Sequence, residues 1–226
     1  MSFFYSLCSS SSGNSTYLGS LTSGVLFDAG IGIRNFAKSL QSAGLTPSCV
    51  KAIFVTHEHS DHIKGLDVIS SRHHLPIYGS EGTIEFLLKQ GILSGDQEIH
   101  IIDKPMDIYG FHVTPFHTSH DSKESLGFRV ETPEHENVGI CTDLGYVSDE
   151  VFEALSGSDF IMLESNYDES MLMYGTYPFF LKKRISSPRG HLSNEQCAET
   201  IERLIRGNTK RFALAHLSEQ NNRPEV

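Results

Sequence analysis

Short apolar segments alternate along the chain with segments that have helical spacing. The apolar segments are rich in β-branched and aromatic residues and are bounded by small or polar residues, which is typical of strands. The strands predicted from this pattern are 3–7, 16–21, 24–28, 50–56, 77–78, 99–103, 108–116, 126–132, 138–142, 160–164 and 212–216. Strands in runs with helices between them predict two sheets covered by helices.

Helices are predicted where apolar residues recur every three or four positions. These segments are 34–45, 65–73, 83–90, 149–155, 177–185 and 193–206. The last is the clearest, because Ser193 can cap its first turn and Arg203 and Arg206 favour its C-terminal end. Neither a linker nor an internal repeat interrupts this order, so we predict a single α/β domain.

Charged residues are distributed unevenly along the chain, and this bears on which partners the protein can bind. The 28 acidic and 18 basic residues give a net charge of −10, which argues against a protein that coats nucleic acid through bulk charge. Residues 182–211, however, contain eight basic and three acidic residues. This stretch is either a solvated helix face or a local surface for anions. Because we find no aromatic residues interleaved with these charges, we do not predict a stacking surface for single strands.

The cysteines and the apolar runs indicate the cellular compartment of the protein. Four cysteines stand far apart without a CxxC pair, which predicts free thiols in a reducing environment. The N-terminus lacks the basic start and long apolar stretch of a signal peptide. No apolar run approaches 18 residues. We therefore expect a cytoplasmic protein that does not enter a membrane.

The strongest chemical signal is Thr56-His57-Glu58-His59-Ser60-Asp61-His62, which follows the predicted strand 50–56. Imidazole and carboxylate groups bind Zn²⁺ and other first-row divalent ions. In an extended chain His57 and His59 point to the same side, which suits two ligands of one metal. Asp61 and His62 can face that metal or a second one. The alternative is a histidine-rich surface loop, but the neighbouring sequence is not of low complexity.

Further imidazole and carboxylate groups stand at the ends of predicted strands. His117 and His120 follow strand 108–116, and their odd spacing predicts that only one of them is a ligand without deciding which. The others are Asp143, His191 and His216. Taken singly, each can be a capping carboxylate or a core histidine. Together they predict one site along one sheet edge.

These motifs resemble the metallo-β-lactamase superfamily nearly from end to end. The segment THEHSDH is similar to the HxHxDH signature of that family. Its other motifs are resembled by four short segments, which are FDAG at 27–30, SHD at 119–121, TD at 142–143 and AH at 215–216. The stretches SSSSGNSTYL, TDLG, ESNYD, GHLSN and AHLSEQNN resemble the YycJ-like branch, which includes WalJ and VicX. The resemblance implies a four-layer αββα sandwich over residues 1–226. Since relatives continue further, we expect this domain to lack their last C-terminal helix.

The resemblance also implies two divalent metal ions, either Zn²⁺ or Mn²⁺, with Fe as a further option. It selects His120 rather than His117. The ligands it implies are His57, His59 and His120 for one metal, Asp61, His62 and His216 for the other, and Asp143 between them. Asp28 is expected to lie buried behind these ligands and to orient the metal loop.

Two such ions can hold a bridging water as hydroxide and clamp phosphate oxygens. With the branch resemblance, this predicts a metal-dependent phosphodiester hydrolase, specifically an exonuclease whose substrate is DNA. Catalytic roles are expected for Asp61 and for His191. A comparable histidine is present in the ribonuclease Z relatives, and His191 is predicted to stand at a helix N-terminus, where anions are favoured. The alternative for His191 is a capping role. The predicted substrate contacts are Ser12, Asn14, Asn166, Arg189 and His191.

Two other functions stay open at this point. One is a small-molecule hydrolase that acts on cyclic phosphates or thioesters. The other is a metal-binding regulatory protein with little turnover, which keeps the ligands but lacks an acid. Loss of rate in a His191→Ala variant with intact metal content separates an enzyme from a binding protein.

Overall fold

The computed structural model describes residues 1–225, and Val226, the last residue of the predicted domain, lies outside the described residues. Residues 1–225 form two six-stranded sheets. The first contains β1 (Phe3–Ser10), β2 (Gly13–Gly19), β3 (Gly24–Phe27), β4 (Val50–Phe54), β5 (Ile77–Gly79) and β6 (Ile99–Ile101). The second contains β7 (Met106–Ile108), β8 (Phe111–His117), β9 (Leu126–Glu131), β10 (Asn137–Cys141), β11 (Phe160–Glu164) and β12 (Arg211–Ala215).

Both sheets are mixed. In the first sheet, β1 to β3 form an antiparallel meander, and β3 to β6 run parallel in the order β1-β2-β3-β4-β5-β6. In the second sheet, β7 to β10 are antiparallel, and β10, β11 and β12 are parallel. Parallel neighbours require crossover connections, and the helices of the chain supply them.

Eight α-helices connect the strands of residues 1–225. They are α1 (Ile33–Ser42), α2 (Ser60–Ile63), α3 (Leu66–His73), α4 (Glu81–Lys89), α5 (Asp149–Leu155), α6 (Glu169–Tyr174), α7 (Phe179–Ile185) and α8 (Asn194–Arg206). Over the same residues, none of the helices has the length and apolar character that a membrane crossing needs. The sequence pattern did not predict α2 and α6, because helices of four and six residues are too short to show a periodicity.

The predicted strand 108–116 is wrong at its first residues. The chain reverses at Tyr109 and Gly110, which have φ values of 49° and 86°. Ile108 therefore ends β7, and β8 begins at Phe111. The sequence pattern joined the two strands because both are apolar and the turn between them is short.

The core lies in three apolar layers. Between the sheets, the rings of Phe27 and Phe54 are 5.3 Å apart, and Phe128 of the opposite sheet lies 5.4 Å and 5.5 Å from them. A second layer packs the first sheet against α1, α3 and α4, and a third packs the other sheet against α5 and α8. The order helix, sheet, sheet, helix confirms the predicted four-layer α/β sandwich.

Candidate metal centre

The ends of strands from both sheets meet at one edge of the sandwich. His57 and His59 follow β4, His120 follows β8, Asp143 follows β10 and His216 follows β12. Asp143 and His216 have φ values of 58° and 56°, a left-handed conformation that turns the chain sharply at the strand end. Because the loops after these strands come together, residues far apart in sequence share one small volume.

The first group of possible ligands comprises His57, His59 and His120, whose ligand atoms lie within 4.8 Å of one another. His120 Nε2 is 3.1 Å from His59 Nδ1. His57 is fully buried, and its Nε2 has no hydrogen-bond partner among the described residues. His117, in contrast, has a side chain that is 62 % exposed and contacts Glu124. The structure thus brings His120 into the group and leaves His117 outside it.

The second group comprises Asp61, His62 and His216. Asp61 Oδ2 is 3.3 Å from His62 Nε2 and 3.4 Å from His216 Nε2. Asp143 lies between the two groups, with Oδ2 3.2 Å from His62 Nε2 and Oδ1 3.7 Å from His120 Nε2. The seven predicted ligands therefore form two adjoining groups that share Asp143.

The chemistry of these groups fits divalent metal ions. Asp143 is almost fully buried, and its Oδ2 makes no hydrogen bond of normal geometry within residues 1–225. His57 Nε2 is a second such atom. Buried polar atoms are costly without a partner, and a cation facing both groups would supply one. The histidine and aspartate clusters are consistent with a dinuclear metal site.

Asp28 holds this edge together from behind. Its carboxylate accepts hydrogen bonds from the Thr56 N–H at 2.8 Å and from the Thr56 hydroxyl at 2.9 Å. The other contact joins Asp28 Oδ2 and His62 Nδ1 at 2.8 Å, and this leaves Nε2 of His62 facing Asp61 and Asp143. The expected contact of a buried Asp28 with the metal loop is confirmed.

Glu164, at the end of β11, is a functional candidate that the sequence analysis missed. Its buried carboxylate accepts hydrogen bonds from the backbone N–H groups of Leu144 and Leu192 at 3.1 and 3.0 Å. Its Oε1 also lies 2.8 Å from His191 Nδ1 and 2.7 Å from His216 Nδ1. A carboxylate at the end of a predicted strand, the criterion that identified Asp143, was the available signal.

Charges in this cluster shift the pKa values of its members. Burial alone would raise the pKa of Glu164, but the neighbouring His191 and His216 lower it to about 2. Burial alone would lower the pKa of His216, but Asp143, Asp61 and Glu164 raise it to about 10. The pKa of His191 is also raised, because Glu164 and Asp143 outweigh its burial. Burial and the adjacent His62 lower the pKa of His57, so it is neutral as a metal ligand must be.

A cavity of about 410 Å³ opens over the two groups. Asn166 and His191, two of the predicted substrate contacts, line it. Asn166 Nδ2 donates a hydrogen bond to the carbonyl of His216 at 2.8 Å. His191 precedes α8, but the Ser193 side chain already caps that helix by accepting from the Gln196 N–H. Because the N-terminus of α8 is already capped, it does not provide the anion-binding site that the sequence predicted beside His191.

The other three predicted substrate contacts lie outside the wall of this cavity. The Ser12 hydroxyl donates to Glu219 at 2.9 Å. Asn14 Nδ2 donates to Asp61 Oδ2 at 3.1 Å, and Arg189 donates to the carbonyl of His120 at 3.1 Å. The contacts of Asn14 and Arg189 hold residues of the two ligand groups in place.

Two facing mixed sheets with helices on both outer faces, and a histidine–aspartate site on their shared edge, define the metallo-β-lactamase fold. Residues 24–217 match the family model of the beta-lactamase superfamily domain. The chain belongs to the metallo-β-lactamase superfamily, as its motifs predicted, and is a hydrolase of that fold.

The chain is similar along nearly its whole length to proteins named as exodeoxyribonucleases. It is 37 % identical to exodeoxyribonuclease YycJ of Bacillus anthracis, covering 99 % of this chain and 85 % of that protein. It is 35 % identical to exodeoxyribonuclease WalJ of Streptococcus pneumoniae, with the same coverage of 99 % and 85 %. The crystal structure of the short form of human tRNase Z has a TM-score of 0.72 at 19 % identity, covering 97 % of this chain and 93 % of that chain.

Proposed function

We propose that the protein is a metal-dependent phosphodiester hydrolase that acts on DNA as an exonuclease. The observation that carries this proposal is the pair of ligand groups that share Asp143 and open into one cavity. Two adjacent divalent ions are typical of enzymes that cleave phosphate esters. The names of the YycJ and WalJ relatives support DNA as the substrate.

The residues that would hold the ions are those of the two groups. They are His57, His59 and His120 for one ion, Asp61, His62 and His216 for the other, and Asp143 for both. Zn²⁺ and Mn²⁺ suit such nitrogen and oxygen ligands, and Fe is a further option. When bound, a pair of ions activates water at neutral pH and neutralises phosphate charge.

His191 is proposed to act on the leaving oxygen or to contact the phosphate. It lines the cavity, and because its Nδ1 lies against Glu164, the other ring nitrogen, Nε2, is the atom that can give a proton to the substrate. Glu164 fixes the ring and stabilises its protonated form. Asp61 also lines the cavity, where its carboxylate can hold a proton from attacking water.

Substrate contacts are proposed for Asn166 and His191 at the cavity wall. Asn166 is held by the carbonyl of His216, so its side chain is oriented before substrate binds. Ser12 and Arg189 are kept as proposed contacts for the part of a DNA chain that extends beyond the cavity, whereas the buried Asn14 is proposed to act by holding Asp61. Ser12 and Arg189 are both exposed.

The test starts from metal-stripped protein that is reloaded separately with Zn²⁺ and with Mn²⁺. Each form is assayed on bis-p-nitrophenyl phosphate and on end-labelled duplex DNA, with a His59→Ala variant beside it. Metal-dependent cleavage of both substrates that is lost in the variant is the expected result.

The other outcomes separate the remaining functions. Cleavage of the small diester without cleavage of DNA would point to a small-molecule hydrolase. If two ions are bound per chain and neither substrate is cleaved, the nuclease proposal is overturned. The protein would then be a small-molecule hydrolase for other substrates or a regulatory metal-binding protein.

A His191→Ala variant tests the proposed role of that side chain. Because general acid catalysis contributes about 10²- to 10⁴-fold, the rate of DNA cleavage should fall by a factor in this range. The metal content should not change, since His191 is not among the proposed ligands. His117→Ala is the matched control, because this histidine is exposed near the same edge. A full rate in His191→Ala, or lost metal, would contradict the role.

A further inference from the structure

The segment that contains α7 forms one wall of the cavity. Tyr177, Leu181, Arg184 and Ile185 all line it. Leu181, Arg184 and Ile185 recur at helical spacing, so they lie on one side of α7, and Tyr177 precedes the helix. The wall is completed by ligand-group residues such as His59 and His120, which places α7 directly beside the candidate metal centre.

Helix α7 carries two aromatic rings in solvent. Phe179 is 81 % exposed and Phe180 is 73 % exposed, and α7 contains no buried residue. Met173 and Tyr174 of α6 are exposed as well. A group of large apolar side chains on the surface is typical of an interaction site.

Positive charge lies next to these rings in the fold, although the basic stretch 182–211 itself contains no aromatic residue. Phe179 and Lys183 are four positions apart on α7, as are Phe180 and Arg184, so ring and cation are neighbours on the helix surface. Lys183 is exposed and has no ion-pair partner among residues 1–225. Arg184 Nε donates to Asp121 at 2.5 Å and still lines the cavity. We call Phe179, Phe180, Lys183 and Arg184 the α7 rim.

The size of the cavity and the chemistry of the α7 rim together indicate which ligand crosses this rim. A cavity of about 410 Å³ is small for a polymer, so a chain cleaved at the metal centre must leave the cavity across its wall. Exposed rings suit the flat faces of bases, and neighbouring cations suit the phosphates between them. The bases of a duplex are already stacked on one another, whereas those of a single strand are free to stack on protein rings.

Resting on the proposed phosphodiesterase function, we propose that the α7 rim binds the unpaired nucleotides of a single-stranded nucleic acid end beside the cleaved phosphate. Phe179 and Phe180 stack on bases, and Lys183 and Arg184 contact the backbone. The protein therefore prefers single-stranded or frayed ends to blunt duplex ends.

The test measures fluorescence anisotropy of a labelled, phosphorothioate-protected oligothymidine and of a blunt hairpin duplex, both with the metal-loaded full chain. The wild-type protein should bind the single strand more tightly than the duplex. A Phe179→Ala, Phe180→Ala double variant should bind the single strand at least about 10-fold more weakly, whereas the corresponding double change to tyrosine should retain binding because it keeps the rings.

Two further variants sharpen the result. Lys183→Ala should reduce the slope of log affinity against log salt by about 0.7, the contribution of one single-strand phosphate contact. A Val68→Ala, Ile205→Ala double variant is the matched control, because both residues are exposed apolar positions on other helices. It should bind like the wild type. Metal content and thermal unfolding verify that each variant is folded.

Several results would overturn the α7 rim proposal. These are equal affinity for single strand and duplex, or unchanged affinity in the alanine double variant. The alanine double variant can also keep DNA binding but lose binding to phosphatidylglycerol vesicles, and this result would assign the rings to a membrane. If it keeps DNA binding but loses self-association in sedimentation, the rings would be assigned to contact with a second copy of the chain. The proposed function fails separately, if the wild type cleaves neither bis-p-nitrophenyl phosphate nor DNA.

Discussion

At the scale of single residues, buried carboxylates orient the imidazoles of the candidate metal centre. Asp28 contacts Nδ1 of His62, and Glu164 contacts Nδ1 of both His191 and His216. A histidine presents the nitrogen that its partner leaves free, so each carboxylate determines which ring nitrogen faces the rest of the centre. These partners therefore belong to the site together with the histidines that they hold.

An Asp28→Asn variant should bind metal more weakly in the group of Asp61, His62 and His216. The amide cannot supply the charge that holds His62 Nδ1, and loss of such a partner typically costs about 10- to 100-fold in metal affinity. Metal content after titration with a chelator measures the effect. Asp107→Asn is the matched control, because Asp107 lies 2.8 Å from an exposed histidine, His112. Equal loss of metal in both variants would contradict the prediction.

The metal-free protein should be most stable between about pH 4.5 and 6.5. Below an ordinary pKa of 4.5, unfolded Glu164 takes up a proton that the folded carboxylate, with a pKa of about 2, does not, so acid destabilises the fold. Above an ordinary pKa of 6.5, unfolded His216 is neutral while the folded imidazole keeps its proton up to about 10, so stability also falls with rising pH.

Thermal unfolding in the presence of a chelator across this pH range checks both declines. Saturating Zn²⁺ should remove the alkaline decline, because an imidazole that holds metal is neutral. A melting temperature of the chelated protein that stays constant from about pH 7 to 9 would contradict the role of His216.

At the scale of elements, the site depends on how closely the loop after β3 approaches α2. The Gly30 N–H donates to the Asn14 carbonyl at 2.8 Å, and a Cβ at Gly30 would lie 1.6 Å from the Asp61 carbonyl oxygen. Backbone atoms cannot move aside as a flexible side chain can. A residue without a side chain therefore allows Asp61 to reach its position in the ligand group.

A Gly30→Ala variant should displace the start of α2 and with it Asp61. We expect a loss of about 1–3 kcal/mol in the free energy of unfolding, as for other overpacked sites, together with weaker metal binding. Gly32→Ala is the control two residues away, since no atom lies within 4 Å of a Cβ at that position. Urea unfolding and metal content measure both variants. Equal stability of the two would disprove the close-approach argument.

At the scale of the whole molecule, the two sheets meet at an edge where imidazole and carboxylate groups crowd together. His57 Nε2 and Asp143 Oδ2 are buried there without hydrogen-bond partners among residues 1–225. Metal ions would satisfy these atoms in the folded protein, whereas the unfolded chain offers no such arrangement. Metal binding should therefore stabilise the fold as a whole.

Chelation should lower the melting temperature by on the order of 10 °C. Each ion present at 100 times its dissociation constant contributes about 2.7 kcal/mol, and about 1 kcal/mol shifts the melting temperature of a chain of this length by roughly 2–4 °C. Differential scanning calorimetry with and without chelator measures the shift. His59→Ala should show a smaller shift than the wild type, and His117→Ala an equal one. A shift that does not differ between these variants would contradict the assignment.

The sequence by itself determined most strands and helices, the family and the residues from His57 to His62 at a strand end. These features are local, because hydrophobic periodicity and the polarity of strand ends can be seen in short segments. The resemblance implied His120 rather than His117, and the structure brings His120 to the centre.

Only the tertiary structure decided which distant side chains meet. It brought Glu164 between His191 and His216, turned Asn14 and Arg189 toward the ligand groups, and left Phe179 and Phe180 in solvent beside the cavity. Spacing along the chain does not determine these contacts, because they depend on how the two sheets pack and on the angle at which each loop leaves its strand. A carboxylate or a phenylalanine looks the same in the sequence whether it is buried, exposed or part of a site.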